Sequence, residues 1–226
     1  AGPTEVGGLV VHPDYRRRSE RLGRFVSYAR FLWLAMRRAD FQDEVVAELL
    51  PPFGSGGESH LWEAVGRRFT GLDYRTADRL SRRNKEFIKG LFPGTVQATL
   101  LSPEAQRVIG EVGEESRGVE TMLRRIGFRY AKRVDPFDGG PHFLAETDAV
   151  TLIRNARQRS VRVGMQVGPD APPDMLIVGV DRRLPPYFAA VAARPSAGDV
   201  LQLDEGAARV LAAAEGDFVW SAPLSA

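Results

Sequence analysis

Residues 10 to 31 read VVHPDYRRRSERLGRFVSYARF, and arginines crowd one glycine there: Arg16, Arg17, Arg18, Arg21 and Arg24 around Gly23. The apolar run Leu9-Val10-Val11 precedes them and an amphipathic helical pattern follows. Between a strand and a helix, phosphate oxygens are held by unpaired N–H groups, by the positive end of the helix dipole and by guanidinium forks. The same run suits a solvated basic turn. A phosphate loop and a plain surface turn are therefore both open readings. Other reactive groups are few. There is no cysteine, hence no thiolate nucleophile, thiolate metal site or disulfide framework. The three histidines, His12, His60 and His142, are scattered, which argues against a protein metal site.

The elements that must position such groups sit in an ordinary soluble composition. The chain has 226 residues, 43% hydrophobic and 27% charged, enough for one or two domains with real cores. Lys and Arg number 31 against 29 Asp and Glu, a formal charge of +2, so the balance does not call for nucleic acid. The basic stretch Arg75 to Lys85 lacks interleaved aromatics, and a solvated helix face suits it better than a nucleic-acid groove. No apolar run approaches the roughly 20 residues of a membrane helix, and no signal pattern opens the chain. A cytoplasmic protein, with no membrane or nucleic-acid partner, is the expectation. GGLVV, Gly7 to Val11, reads as an interior strand, which needs pairing neighbours on both sides. The expectation is that a partner chain or a removed segment supplies N-terminal strands.

Further along, apolar spacing predicts a helix over Leu22 to Ala39 and a buried strand over Val45 to Leu49. Ser59 is placed to cap a helix beginning HLWEAVGRRF. Thr76 to Lys89 reads as a basic helix, and Ser102-Pro103 opens another. Ser116 to Ile126 is helical and leads into a strand at Arg129 to Val134. PFDGGP, Pro136 to Pro141, is a turn, followed by a helix over Thr147 to Arg157. From there the texture changes to short strands between Pro and Gly turns: Val161 to Val167, Met175 to Val180, Phe188 to Ala193, Val200 to Leu203 and Phe218 to Trp220, with a helix at Glu205 to Ala214. This predicts an α+β fold, with residues 1–157 as one region and 158–226 as a small β-barrel. WEAVGRRF and LRRIGFRY also echo each other. Gly66 and Gly127 would be left-handed helix ends, suggesting two related αβ units in tandem, the first incomplete.

The opening stretch resembles the acyl-CoA signature of GNAT acyltransferases. An ordered set of segments resembles the bacterial arginine N-succinyltransferases: LVVHPDYR, YARFLWLAMR, DEVVAEL, LWEAVGRRF, ADRL with NKEFIKGLFP, LSPEAQRVIGEV, MLRRIGFRY, VDPFDGGP and IRNAR. The resemblance implies a GNAT-like architecture and transfer of succinyl from succinyl-CoA to the α-amine of arginine, the first step of ammonia-producing arginine catabolism. It places the succinyl-CoA contact at Leu9, with the main chain of Val10 and Val11 beside the pantetheine arm. Arg18 falls in the place of the leading basic residue of the pyrophosphate turn, Gly23 on a matched glycine, and Arg24 beside it. The family's catalytic histidine follows V-I-G-x-V, where this chain has Gly113. Glu48 matches a family glutamate and is the best remaining carboxylate for a base or for an amine or guanidinium contact; a strand-end surface acid is the alternative. His142, directly after DGGP, is the candidate proton carrier if the fold brings it to the site. Asp138 is read as a turn cap, with a substrate contact as the alternative. No metal is implied. The expected partners are arginine or ornithine as substrate and a second chain in a hetero-oligomer or processed two-chain enzyme. The competing readings are a non-catalytic subunit and another acyl-CoA-dependent amine acyltransferase.

Overall fold

The computed structural model describes residues 2–16, 18–84, 86, 90, 94–164, 175–182, 185–195 and 198–224. Expectations at Arg17, Lys85, Lys89 and residues 165–167 fall outside them. A four-stranded sheet is built from β1 (Thr4–Glu5), β2 (Glu44–Glu48), β3 (Arg129–Val134) and β4 (Pro141–Glu146), in the order β1-β2-β4-β3. Strands β3 and β4 pair antiparallel, with Tyr130 opposite Phe143. The chain forms two compact units, Ala1–Val45 with Ala145–Ala226, and Val46–Leu144.

In the first unit, α1 (Leu22–Met36) forms where the apolar spacing predicts a helix, but the face it buries is Ser27, Tyr28, Phe31, Leu32 and Leu34, while Val26 is exposed. It ends earlier than expected, giving way to a 3-10 turn at Arg38–Asp40. Its apolar face covers a second sheet made of β5 (Arg157–Val163), β6 (Leu176–Asp181), β7 (Phe188–Ala193), β8 (Val200–Leu203) and β9 (Phe218–Pro223). Gly179 in β6 makes this approach possible, since a Cβ there would meet Leu32 Cδ2 at 3.0 Å. Arg37 then clamps Asp181 through two hydrogen bonds, Nε at 2.9 Å and Nη2 at 3.1 Å.

The strand order of that sheet, β7-β6-β9-β5-β8, leaves β7 and β8 as unjoined edges. The expected small barrel is therefore an open half-barrel. Strand β5 pairs parallel with β8 and antiparallel with β9, and its inner face packs Val161, Val178, Leu201, Leu203 and Val219. The expected helix over Thr147 to Arg157 shrinks to a 3-10 turn, Thr147–Ala149, and one α-helical turn, α7 (Thr151–Arg154), because β5 already begins at Arg157.

The second unit holds α2 (His60–Ala64), α3 (Gly66–Thr70), α4 (Tyr74–Ser81), α5 (Pro103–Val108) and α6 (Arg117–Arg125). Ser59 caps α2 by accepting from Trp62 N at 3.1 Å, and Ser102 caps α5 by accepting from Ala105 N at 3.3 Å. Gly66 corrects the expected echo. It is buried and helical, the Trp62 ring occupies the space a Cβ would need, and helix rather than strand follows. The left-handed helix end falls instead at Gly71, φ 71°. Gly127 does have positive φ, 109°, and a strand follows it, so the two segments diverge after the glycine.

Candidate active-site groups

At the start of α1, the N-cap Arg21 is left-handed (φ 51°, ψ 47°) and makes no side-chain capping bond, and the first turn carries no acid. Arg18 lies over the Tyr15 ring, 4.7 Å from its centroid, and donates from Nε to Asp14 O at 3.0 Å. Arg16 donates to Val11 O at 2.7 Å. Arg24 Nε is buried with no hydrogen-bond partner among the described residues. Gly23 lies in the first helical turn against Val11, whose Cγ2 would be 3.6 Å from an added Cβ. The arrangement gathers cations at a helix N-terminus, as a phosphate site needs, with Glu20 beside the N-cap as the neighbouring acid, its charge favoured chiefly by its own backbone N–H and in part by Arg18.

Leu9 to Val11 do not form the buried strand expected of them. They lie outside the sheet, and Val10 is 77% exposed. Gly7 and Gly8 precede the run, and Gly8 adopts φ 66°, which bends the chain after β1. β-branched residues favour strands only where a neighbouring strand offers a ladder. What remains is a stretch of main chain lying beside the helix start.

In the second unit, β2 and β4 are neighbours in the sheet, and Leu49 N donates to Pro141 O at 3.1 Å. This register brings together two residues that sequence reasoning named separately. His142 Nε2 lies 3.3 Å from Glu48 Oε1. The contact is not aligned as a hydrogen bond, and Nε2 is buried without a hydrogen-bond partner among the described residues. The register thus sets a carboxylate beside an imidazole, two group types that general acid–base chemistry uses. His12 and His60 have no part in this pair. His12 caps the turn at Pro13–Tyr15 through Asp14 N.

Asp138 behind this pair is the turn cap that the sequence predicts. Its Oδ1 accepts from Gly140 N at 2.8 Å and its Oδ2 from Tyr74 Oη at 3.1 Å. Burial pushes its pKa up to about 6, and the charges of Asp135 and Glu48 add to the rise, while the bonds from Gly140 and Tyr74 oppose it. Burial, together with the Asp138 charge, raises Tyr74 as well. Tyr74 was not foreseen, since its partner is 64 positions away and no local pattern announces it. The turn rests on an aromatic stack in which Phe137 lies 4.5 Å from Trp62 and 5.2 Å from Tyr74. Gly139 takes φ 88°, and a Cβ on Gly140 would fall onto the Leu49 carbonyl, so both glycines are required by geometry.

Gly113 is close-packed too. Its N–H donates to Leu50 O at 2.8 Å, and an added Cβ would lie 2.5 Å from Pro51 O. No side chain fits at that position as the backbone stands. Among the described residues, no group of three or more His, Asp or Glu is placed to hold a metal ion, and no helix is long and apolar enough to cross a membrane.

Comparison with known proteins agrees with this arrangement of elements. The sequence model of the family described as arginine N-succinyltransferase beta subunit matches residues 1–152. Arginine N-succinyltransferases of Escherichia coli (strain K12 / DH10B) and Shigella boydii serotype 18 are each 36% identical over 173 residues, 76% of this chain and 50% of theirs. The chain thus spans about half the length of the curated relatives it matches. The solved structure of arginine/ornithine succinyltransferase subunit AI from Pseudomonas aeruginosa superposes with a TM-score of 0.78 at 28% identity, covering 96% of this chain and 61% of that one. Taken with the ordered motifs and the strand register, these matches identify the chain as a member of the arginine N-succinyltransferase family.

Proposed function

We propose that this chain takes part in acyl transfer from succinyl-CoA to the α-amine of arginine or ornithine, on a GNAT-like scaffold and in assembly with a second chain. The observation that carries the reading is the Glu48–His142 pair. In the reaction, His142 takes a proton from the substrate ammonium and Glu48 stabilises the imidazolium that results. The freed amine attacks the thioester carbonyl, a C–N bond forms as the C–S bond breaks, and the proton shed by the attacking nitrogen is the one the departing CoA thiolate gains. Main-chain groups along Leu9, Val10 and Val11 hold the pantetheine arm. Arg18, Gly23 and Arg24 hold the pyrophosphate at the start of α1. Region 1–157 carries these groups, and region 158–226 supports α1.

The test is arginine-dependent release of free CoA from succinyl-CoA, comparing the wild type with Glu48→Gln and His142→Gln. Each variant is expected to lose roughly 10²- to 10⁴-fold in rate while still binding succinyl-CoA. Undiminished release by both variants would overturn the assignment. Gly113 favours a second reading, a non-catalytic subunit, because no side chain fits at that position. A wild-type chain that binds succinyl-CoA but releases no CoA, alone or with arginine, would decide for that reading.

A further inference from the structure

We propose that Arg30 selects the acyl group, its guanidinium holding the distal carboxylate of the succinyl chain; this rests on the acyl-CoA reading above. Gly23, Ser27 and Arg30 recur at i, i+4 and i+7, on one face of α1. That face meets the segment Gly7 to Val11 in the opposite sense. Gly23 abuts Val11, and Arg30 Nη1 reaches Gly7 O at 3.4 Å. With a rise of 1.5 Å per residue, Gly23 and Arg30 stand about 10 Å apart along the helix. Arg30 thus lies further along the same face from the helix start, past Leu9 and Val10.

Arg30 differs from its neighbours in what it pairs with. Arg37 binds Asp181 and Asp40, and Arg38 binds Asp43 and Asp148. Arg30 has no carboxylate partner among the described residues, although it is half-buried. Its donors go to Ser27 Oγ at 3.1 Å, and to Ser27 O and Gly7 O at 3.4 Å, the last two close to the limit for a hydrogen bond. Loss of solvent disfavours its charge, with no acid opposing that effect. A guanidinium nevertheless stays protonated in proteins, so a partly desolvated and weakly bonded cation is left on that face. A carboxylate presented there would complete it through two parallel N–H···O bonds. Among acyl chains of this length, succinyl supplies that carboxylate and butyryl, of similar shape, does not.

The experiment measures dissociation constants of succinyl-CoA, butyryl-CoA and free CoA for the wild type, Arg30→Met and Arg30→Lys, each confirmed as folded by circular dichroism. The wild type is expected to prefer succinyl-CoA over butyryl-CoA by roughly 10- to 100-fold. Arg30→Met should bring that ratio near one, and Arg30→Lys, which keeps the charge and loses the fork, should leave it in between. Equal wild-type affinity for the two thioesters, or a preference unchanged in both variants, overturns the role of Arg30 and leaves the acyl-CoA reading standing. A folded wild type that binds neither thioester nor CoA overturns that reading, and the Arg30 proposal with it.

Discussion

Asp138 carries a carboxylate whose burial makes the neutral form the easier one to keep. Its pKa rises from 3.8 to about 6 in the fold, so between those values the native state binds the proton that the unfolded chain releases. The sign follows directly. Its contribution is most favourable below about pH 4 and weakens as pH rises through 6, by on the order of 3 kcal/mol. Asp138→Asn keeps an acceptor for Gly140 N and presents an amide to Tyr74. It should be less stable than or equal to the wild type at pH 4 and gain on it by pH 7. Urea denaturation at both pH values checks this, and parallel pH profiles for the two proteins would contradict it. Gly113 supports a second expectation. Gly113→Ala places a methyl group against Pro51 O and should destabilise by roughly 1–3 kcal/mol, the usual range for overpacking, measured by the same denaturation.

At the scale of elements, caps are the signals that local sequence announces most directly. Ser59 is fully buried and holds Trp62 N at the start of α2. Ser59→Ala should cost about 1 kcal/mol, seen as a lower denaturation midpoint at unchanged slope. An unaltered midpoint would mean that packing of Trp62 on Phe137, and not the cap, holds this helix. The same logic explains what was legible. Ser59, Ser102 and the strands Arg129–Val134, Phe188–Ala193 and Val200–Leu203 declare themselves through neighbours a few residues away. Leu9 to Val11 carry strand-like residues but lack a partner, and a ladder is decided by chain far from it in sequence. β4 went unrecognised because Pro141 to Glu146 follow directly on a Gly-Gly-Pro turn, and their alternation is short. Gly66 misled because a glycine at a helix end and a glycine under a tryptophan ring look the same in sequence. For the site, Glu48 and His142 were each nameable, whereas their meeting depends on a register between strands nearly a hundred residues apart in the chain.

For the whole molecule, a net charge of +2 offers little long-range attraction to a polyanion such as CoA. In the proposed reading the pyrophosphate is held by the arginines at the start of α1, and such contacts are screened by salt. Affinity for CoA is expected to fall on the order of tenfold between 0.05 and 0.5 M NaCl, measured by titration calorimetry. Salt-independent binding would exclude phosphate recognition by that cluster. The compact unit that contains this helix is also discontinuous, being built from the two ends of the chain with residues 46–144 intervening. Arg37 grips Asp181, 144 positions later. At about 5–20 residues per second, a ribosome needs roughly 7 to 30 seconds to make that stretch. Throughout that interval the nascent helix presents Tyr28, Phe31 and Leu32 with no sheet to receive them. This is the interval in which a holding chaperone has a substrate, and in which slow translation turns into aggregation.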